Sequence, residues 1–354
     1  MPATAQPQEL CDRVRALDRP LWCGGVCGSP RGVTALGRRP PVAGGLDVDL
    51  PGAGVRLRAT RWPGTGVPVL LLHGLAQTRR FWDLVVPDLV AAGLPVLALD
   101  QRGHGDSDRP AGPYDGDAVV RDVLTALDAV GLSRVVVVGH SWGATTALRL
   151  AATAPGRVLS VVAIDGGLAG PAGPDEDRAA ARERLEPPQR ALTPQELPAV
   201  LAAGPLRPWW SPEVEAALLP VFETGPDGLV RNRLPFAAHL AILDDLLDAD
   251  LPALLPDVRC PAWLVVCEPP GAARVREVRA LEHAQRVLPA ARGMRWAAAE
   301  HDVPLQWPAL VAGLVRTVAA EVAPRPGAAP RAAPPRAAPQ GGARALAADG
   351  EGVR

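Results

Sequence analysis

A chain of 354 residues, 48% hydrophobic and 21% charged, has enough apolar material for one large domain with an insertion or for two modest ones. Its formal net charge of −1, with no interleaving of basic and aromatic residues on a strand face, excludes the phosphate-tracking surface that a nucleic-acid partner requires. There is no run of about 18 apolar residues and no leader-like segment at Met1, so neither a membrane span nor an export signal is expected and the cytoplasm is the default compartment.

All 37 cationic side chains are Arg, beside 36 Gly and 40 Pro. That is the signature of GC-rich coding, so Arg-rich patches are discounted. Five cysteines (Cys11, Cys23, Cys27, Cys260, Cys267) are an odd number without a leader, which argues against a disulfide framework. Cys23 and Cys27 have a CxxxC spacing with no second ligand pair, so no metal is expected.

Residues 1–45 carry scattered Gly, Pro and Arg without periodicity and read as an irregular arm. Leu46–Leu50 and Val55–Trp62 alternate around a Pro-Gly-Ala-Gly turn, as in a hairpin. Val67–Leu72, Pro95–Leu99, Arg134–Val138, Val158–Ile164 and Ala262–Cys267 are continuous apolar runs, as expected of parallel strands buried on both faces. Arg79–Ala92, Asp117–Val130, Trp142–Ala154 and Ala273–Leu288 have helical spacing, which completes a βα repeat and implies a doubly wound α/β sheet. Residues 46–167 and 251–322 would be the two parts of this core. Residues 168–250 interrupt it with a Pro-rich, mainly helical insertion, expected to cover the carboxyl ends of the strands as a lid. Trp209, Trp210 and Phe222 could line a substrate pocket from that lid or form its own small core. Residues 323–354 are Pro/Ala/Arg/Gly low complexity with almost nothing to bury, and disorder is expected there.

Three segments carry chemistry. Gly139-His140-Ser141-Trp142-Gly143 matches GxSxG between an apolar strand and a helix; small residues two before and two after the serine let the chains approach around a strained turn that presents the nucleophile. Leu71-Leu72-His73-Gly74-Leu75 is a buried strand ending in His-Gly. There the backbone N–H of Leu75, with that of Trp142 after the nucleophile, could hold a substrate oxyanion; His73 is read as a loop-positioning residue. Asp100-Gln101-Arg102-Gly103-His104-Gly105-Asp106-Ser107-Asp108 is a polar, Gly-rich loop after a buried strand.

Taken together, these motifs make residues 46–320 resemble the α/β-hydrolase superfamily. The resemblance implies a mostly parallel eight-stranded sheet with helices on both faces, a helical lid after the sixth strand, and a triad in the order nucleophile, acid, histidine. It makes His104 a loop-stabilising residue. It also places the base in a late loop, where His301 follows the strand-like Met294–Ala297. Of the six histidines, His73, His104 and His140 lie in the motifs above, His239 falls in the lid, and His283 sits in a helix.

The acid departs from the commonest pattern of the family. Pro270 stands where an Asp after the seventh strand is expected, which leaves Asp165, at the end of the sixth strand, and Glu268, just beyond the seventh. Haloalkane dehalogenases take the acid from after the sixth strand and have a similar Pro-Gly stretch after the seventh, so Asp165 is preferred over Glu268. Either would hold the His301 tautomer and stabilise its imidazolium.

The expected activity is two-step acyl transfer on a small or medium ester, thioester, lactone or amide, with no metal or organic cofactor. A serine at the elbow argues against epoxide hydrolase and haloalkane dehalogenase, which resemble this fold but use an aspartate there. The alternatives are a non-hydrolytic small-molecule-binding protein on the same fold and a cofactor-free haloperoxidase-like enzyme. The expected partner is a small-molecule substrate, with no nucleic acid and no membrane; the oligomeric state is left open.

Overall fold

A computed structural model describes residues 34–35, 42–173, 175–187, 191–288 and 290–324. Strands β1 (Leu46–Pro51), β2 (Arg56–Trp62), β3 (Val69–Leu72), β4 (Val96–Leu99), β5 (Val135–His140), β6 (Val158–Ile164), β7 (Ala262–Glu268) and β8 (Ala291–Ala297) form one sheet. Their spatial order is β8-β7-β6-β5-β3-β4-β2-β1. The pairings β1·β2 and β2·β4 are antiparallel and all the others parallel. The expected eight-stranded, mostly parallel sheet is therefore present.

Alternate residues of the central strands point to opposite faces. Leu71, Val136, Val138, Val162, Ile164 and Val265 enter one core with α1 (Val86–Ala91), whereas Leu70, Leu72, Val135, Val137, Val161 and Leu264 enter the other with α2 (Gly116–Ala129) and α3 (Trp142–Thr153). Burial on both faces is why these strands read as unbroken apolar runs. One expected helix is divided: Arg79–Ala92 folds as a 3-10 turn over Arg79–Trp82 followed by α1. Pro87, which has no N–H, is accommodated in the first turn of α1 but would break a longer helix there.

Between β6 and β7 the chain forms α4 (Arg178–Leu185), α5 (Leu197–Ala202), α6 (Pro212–Leu218) and α7 (Phe236–Asp248). This insertion also contains a small hairpin, Phe222–Thr224 with Val230–Asn232, whose first strand pairs with Thr34–Ala35. The part of the expected arm at Thr34–Ala35 is thus paired in a strand. Ion pairs fasten the insertion to the core: Arg233 to Asp106 at 2.7 Å, Arg109 to Glu223 at 2.9 Å, and Arg149 of α3 to Asp245 of α7 at 2.5 Å. After β7 come α8 (Val275–Val287), β8 and α9 (Pro308–Val322), and α9 packs on the face that holds α1. The described residues up to Ala323 form one compact unit. Cys23, Cys27 and nearly all of the C-terminal low-complexity segment lie outside the described residues. No described helix is long and apolar enough to cross a membrane.

Candidate active site

Parallel strands end together, so the loops after β3, β5, β6 and β7 meet at one edge of the sheet. Ser141 occupies the turn between β5 and α3 with φ 54° and ψ −119°. A non-glycine residue in this region stores about 1–3 kcal/mol of strain, and the surrounding packing maintains it. Ser141 N donates to Ile164 O at 2.9 Å. A Cβ on Gly139 would lie 2.1 Å from Gly143 O, and one on Gly143 would lie 2.3 Å from Leu72 O. Side chains at these two positions would force the elbow open.

Asp165, the first residue after β6, also has a positive φ of 47°. Its side chain is fully buried. Oδ2 accepts a hydrogen bond from His301 Nδ1 at 2.6 Å, while Oδ1 accepts from Cys267 N at 3.0 Å and from Arg274 Nη2 at 2.8 Å. With Nδ1 donating, Nε2 is the free nitrogen of a neutral ring, the tautomer that a general base needs. Burial alone would push the Asp165 carboxyl up; the His301 hydrogen bond and charge, Arg274 and the Cys267 amide overcome it and hold the pKa below the ordinary carboxylate value. Packing around His301 pulls the imidazole down, but the hydrogen bond and charge of Asp165 prevail and its pKa lies above the ordinary value. The His301 side chain is 47% exposed, so it remains open to solvent.

Ser141, Asp165 and His301 line one pocket of about 200 Å³. Its walls include Trp142 and Thr145 of α3, Gly166–Pro171 after β6, Leu246 of α7, Val266 of β7, and Arg274, Arg276 and Glu277 at the start of α8. Of the two carboxylates considered for the acid, only Asp165 reaches His301: Glu268 is paired with Arg295 at 2.6 Å. Trp142 lines the pocket, whereas Leu75 does not and packs beside Trp142 with Ala76, Tyr114 and Ile242.

Trp209, Trp210 and Phe222 do not line the pocket. Phe222 is buried in the larger core and Trp210 packs against it, while Trp209 is partly buried in a 3-10 turn. These aromatics stabilise the insertion, and its contribution to the pocket comes instead from Leu168–Pro171 and Leu246.

A polar network behind the pocket ties its loops together. Gln77 Oε1 accepts from Gly74 N at 2.8 Å, and Gln77 Nε2 donates to Asp302 Oδ1 at 2.9 Å. His140 donates Nε2–H to the carbonyl of His301 at 2.7 Å, and its Nδ1 faces Gln77 Oε1 at 3.1 Å. His73 donates Nδ1–H to Gly74 O and accepts from Gln101 N. His104 donates to Arg102 O and accepts from Ala76 N. Both of these rings position loops, as expected. Gln77, His140, Asp302 and Arg274 escaped the sequence reading; the adjacency of His140 to Ser141 and of Asp302 to His301 was the one available signal. Among the described residues, no cluster of three or more His, Cys, Asp or Glu could hold a metal ion.

Residues 67–204 match the alpha/beta hydrolase fold family. Over 114 residues the chain is 40% identical to "Epoxide hydrolase A" of Mycobacterium tuberculosis (strain ATCC 25618 / H37Rv), covering 31% of this chain and 35% of that one. It is 35% identical to "Bifunctional epoxide hydrolase 2" of Sus scrofa over 114 residues, 32% of this chain and 20% of that one. The chain thus spans about a third of the first relative and a fifth of the second. Among solved structures, E-2-(acetamidomethylene)succinate hydrolase superposes with a TM-score of 0.65 at 22% identity, covering 77% of this chain and 98% of that one. The thioesterase domain from the curacin biosynthetic pathway superposes at 0.63 and 20% identity, covering 77% and 99%. The elbow at Ser141, the eight-stranded sheet and these similarities agree: the chain has the α/β-hydrolase fold, and its residues 67–204 match the family of that name.

Proposed function

We propose that this protein is a serine hydrolase that cleaves a small ester, thioester, lactone or amide by acyl transfer. The observation that carries the reading is one pocket holding Ser141 on a strained elbow and His301, whose Nδ1 is bonded to the buried Asp165 carboxylate. His301 Nε2 takes the Ser141 proton as Oγ attacks the substrate carbonyl carbon. The tetrahedral oxyanion accepts from the amide of Trp142 on the pocket wall and, as the His73-Gly74 turn implies, from that of Leu75 in the packed loop beside it; its collapse breaks the bond to the leaving group, which receives the proton from His301. Water, deprotonated by His301, then cleaves the acyl–Oγ ester, releases the acid and restores Ser141. Asp165 stays ionised throughout and stabilises the imidazolium. Residues 168–250 act as the lid, through Leu168–Pro171 and Leu246, and the protein works in the cytoplasm without a metal or organic cofactor.

The names of the curated relatives favour a second reading, epoxide hydrolysis. The nucleophile weighs against it. A carboxylate that opens an epoxide forms an ester, which water can cleave at its carbonyl; a serine would form an ether with no carbonyl to attack, and turnover would stop.

The test is labelling by a fluorophosphonate probe in the wild type, Ser141→Ala and His301→Ala, together with hydrolysis of short p-nitrophenyl esters and of styrene oxide. Labelling and ester hydrolysis that require both residues support the proposal. A folded protein that neither labels nor hydrolyses esters would be a binding protein, and epoxide turnover by the Ser141→Ala variant would overturn the acyl-transfer mechanism.

A further inference from the structure

The loop after β7, where the commonest family pattern has its acid, delivers a cation to the acid instead. Pro269, Pro270 and Gly271 lead the chain back so that Arg274, the residue before α8, places Nη2 2.8 Å from Asp165 Oδ1. Cys267 N, at the end of β7, donates to the same oxygen at 3.0 Å. Both donors on Oδ1 come from one strand and its following loop, which leaves Oδ2 for His301. Glu277 Oε2 lies 3.5 Å from Arg274 Nε, an ion pair without a hydrogen bond, and Arg276 pairs with the other oxygen of Glu277 at 2.9 Å. The two arginines of the pocket wall are therefore engaged by Asp165 and Glu277.

A carboxylate held by one hydrogen bond can rotate about its χ2 axis, because torsions of this kind have broad wells. Three donors on two oxygens fix the plane of Asp165, and therefore the direction of its bond to His301. The charge of Arg274 has a second effect. Asp165 attracts the imidazolium, and a cation on its other oxygen offsets part of that attraction. Beside Arg274, the titratable and charged groups around His301 are Asp165 after β6, His140 at the end of β5 with its ring centroid 4.7 Å away, Asp302 in its own loop, and Arg276 and Glu277 of α8 in the same pocket wall; Cys267 on β7 and Glu300, the preceding residue, act on Asp302 and Asp165 around it.

We propose that Arg274 is a positioning residue of the hydrolytic site: it clamps Asp165 Oδ1 so that Oδ2 stays on His301, and its charge tempers the carboxylate's hold on the imidazolium. This rests on Ser141, His301 and Asp165 acting as proposed above. The acid after the sixth strand and the arginine after the seventh then work as one device.

The experiment is the pH profile of kcat and kcat/KM for wild type, Arg274→Lys and Arg274→Met, with p-nitrophenyl butyrate and with the mono-p-nitrophenyl ester of glutaric acid. Parallel NMR titration follows the low-field Nδ1 proton of His301, a readout that wild type and Arg274→Lys supply even if Arg274→Met does not fold. Arg274→Met is expected to lower kcat about tenfold on both esters, leave KM within about twofold, and raise the midpoint of the acid limb by about half a pH unit or more. Arg274→Lys should keep the midpoint near that of wild type yet recover only part of kcat, because an ammonium supplies charge without the planar fork. An unmoved midpoint and kcat would overturn the proposal. So would a rise in KM confined to the glutarate ester, which would make Arg274 a receptor for an anionic acyl group. Undiminished activity in Ser141→Ala would identify a failure of the underlying mechanism instead.

Discussion

His140 donates its Nε2–H to the carbonyl oxygen of His301 across 2.7 Å, so the residue before Ser141, the proposed nucleophile, grips the proposed base. Loss of the ring leaves a buried carbonyl without this donor and removes a side chain stacked on Phe81. His140→Ala should destabilise the fold by about 2 kcal/mol or more and lower kcat in the fraction that remains folded. Urea melts followed by steady-state kinetics would show both. Full activity at unchanged stability would mean that the loops are held in place elsewhere.

The two carboxylates weighed as acid separate cleanly by mutation. Asp165→Asn puts an amide against His301 Nδ1 and disfavours the required tautomer, so kcat should fall by about a thousandfold or more. Glu268→Gln only weakens an exposed pair with Arg295 and should change kcat less than about twofold. Ester kinetics on both variants check the ranking, and the reverse order would assign the acid to the seventh strand.

The pH profile has a definite sign. His301 works as a base only when neutral, and its pKa lies above the ordinary imidazole value of 6.5 because the Asp165 hydrogen bond and charge outweigh desolvation. Activity should therefore be lost as pH falls through a midpoint above 6.5. In the residual activity of Asp165→Asn that midpoint should drop. A wild-type midpoint well below 6 would contradict the pairing.

Pocket size sets the expected acyl preference. About 200 Å³ lies below the range of about 300–1,000 Å³ that accommodates drug-sized ligands, so acetyl to butyryl esters should exceed decanoyl esters in kcat/KM. Leu246→Ala, at the wall formed by α7, should move the optimum toward longer chains. A series of p-nitrophenyl esters measures this, and an unshifted optimum would place the acyl group elsewhere.

Stability should fall in mild acid, for a reason separate from catalysis. Burial holds His73 and His239 at about 4, His140 at about 3, and His104 well below the ordinary value. The stability from keeping them neutral is present above the unfolded value of about 6.5 and is lost as pH falls below it. Burial of Asp302, raised to about 6, and Asp83, raised to about 7, acts in the opposite sense. At these six groups, near pH 5, the unfolded chain binds about two more protons than the folded one, a loss of about 2 to 3 kcal/mol per pH unit. Urea midpoints at pH 7, 6 and 5 test this; a flat series would mean that these imidazoles can charge in place.

How much was legible follows from what each residue depends on. Ser141, its flanking glycines and His301 stand in short segments whose function shows in neighbouring residues, and the buried strands declare themselves by unbroken apolar runs. Asp165 was only half legible, because choosing it over Glu268 depends on a side-chain contact 136 residues apart in sequence. Arg274 was hidden among many arginines. Trp209, Trp210 and Phe222 could not be assigned between pocket and core, because a Trp or Phe in an insertion fills a core as readily as it faces a ligand, and nothing local marks Leu246 as the wall. The hairpin at Phe222–Asn232 was missed because strands of three residues carry no measurable alternation.

The ionic fastenings of the insertion have a consequence for traffic through the pocket. Arg109 and Arg233, which share Glu223, fix the hairpin to the core in one cluster, and Arg149 fixes α7 in a second. A hinged cap would have to break all three partly buried pairs together, and stranding such charges is costly. Entry and exit therefore belong to the segments outside these fastenings, Leu168–Pro171 and the first turn of α8. On this view the fastened part of the insertion is a fixed wall, and the doorway lies between its unfastened first residues and the first turn of α8.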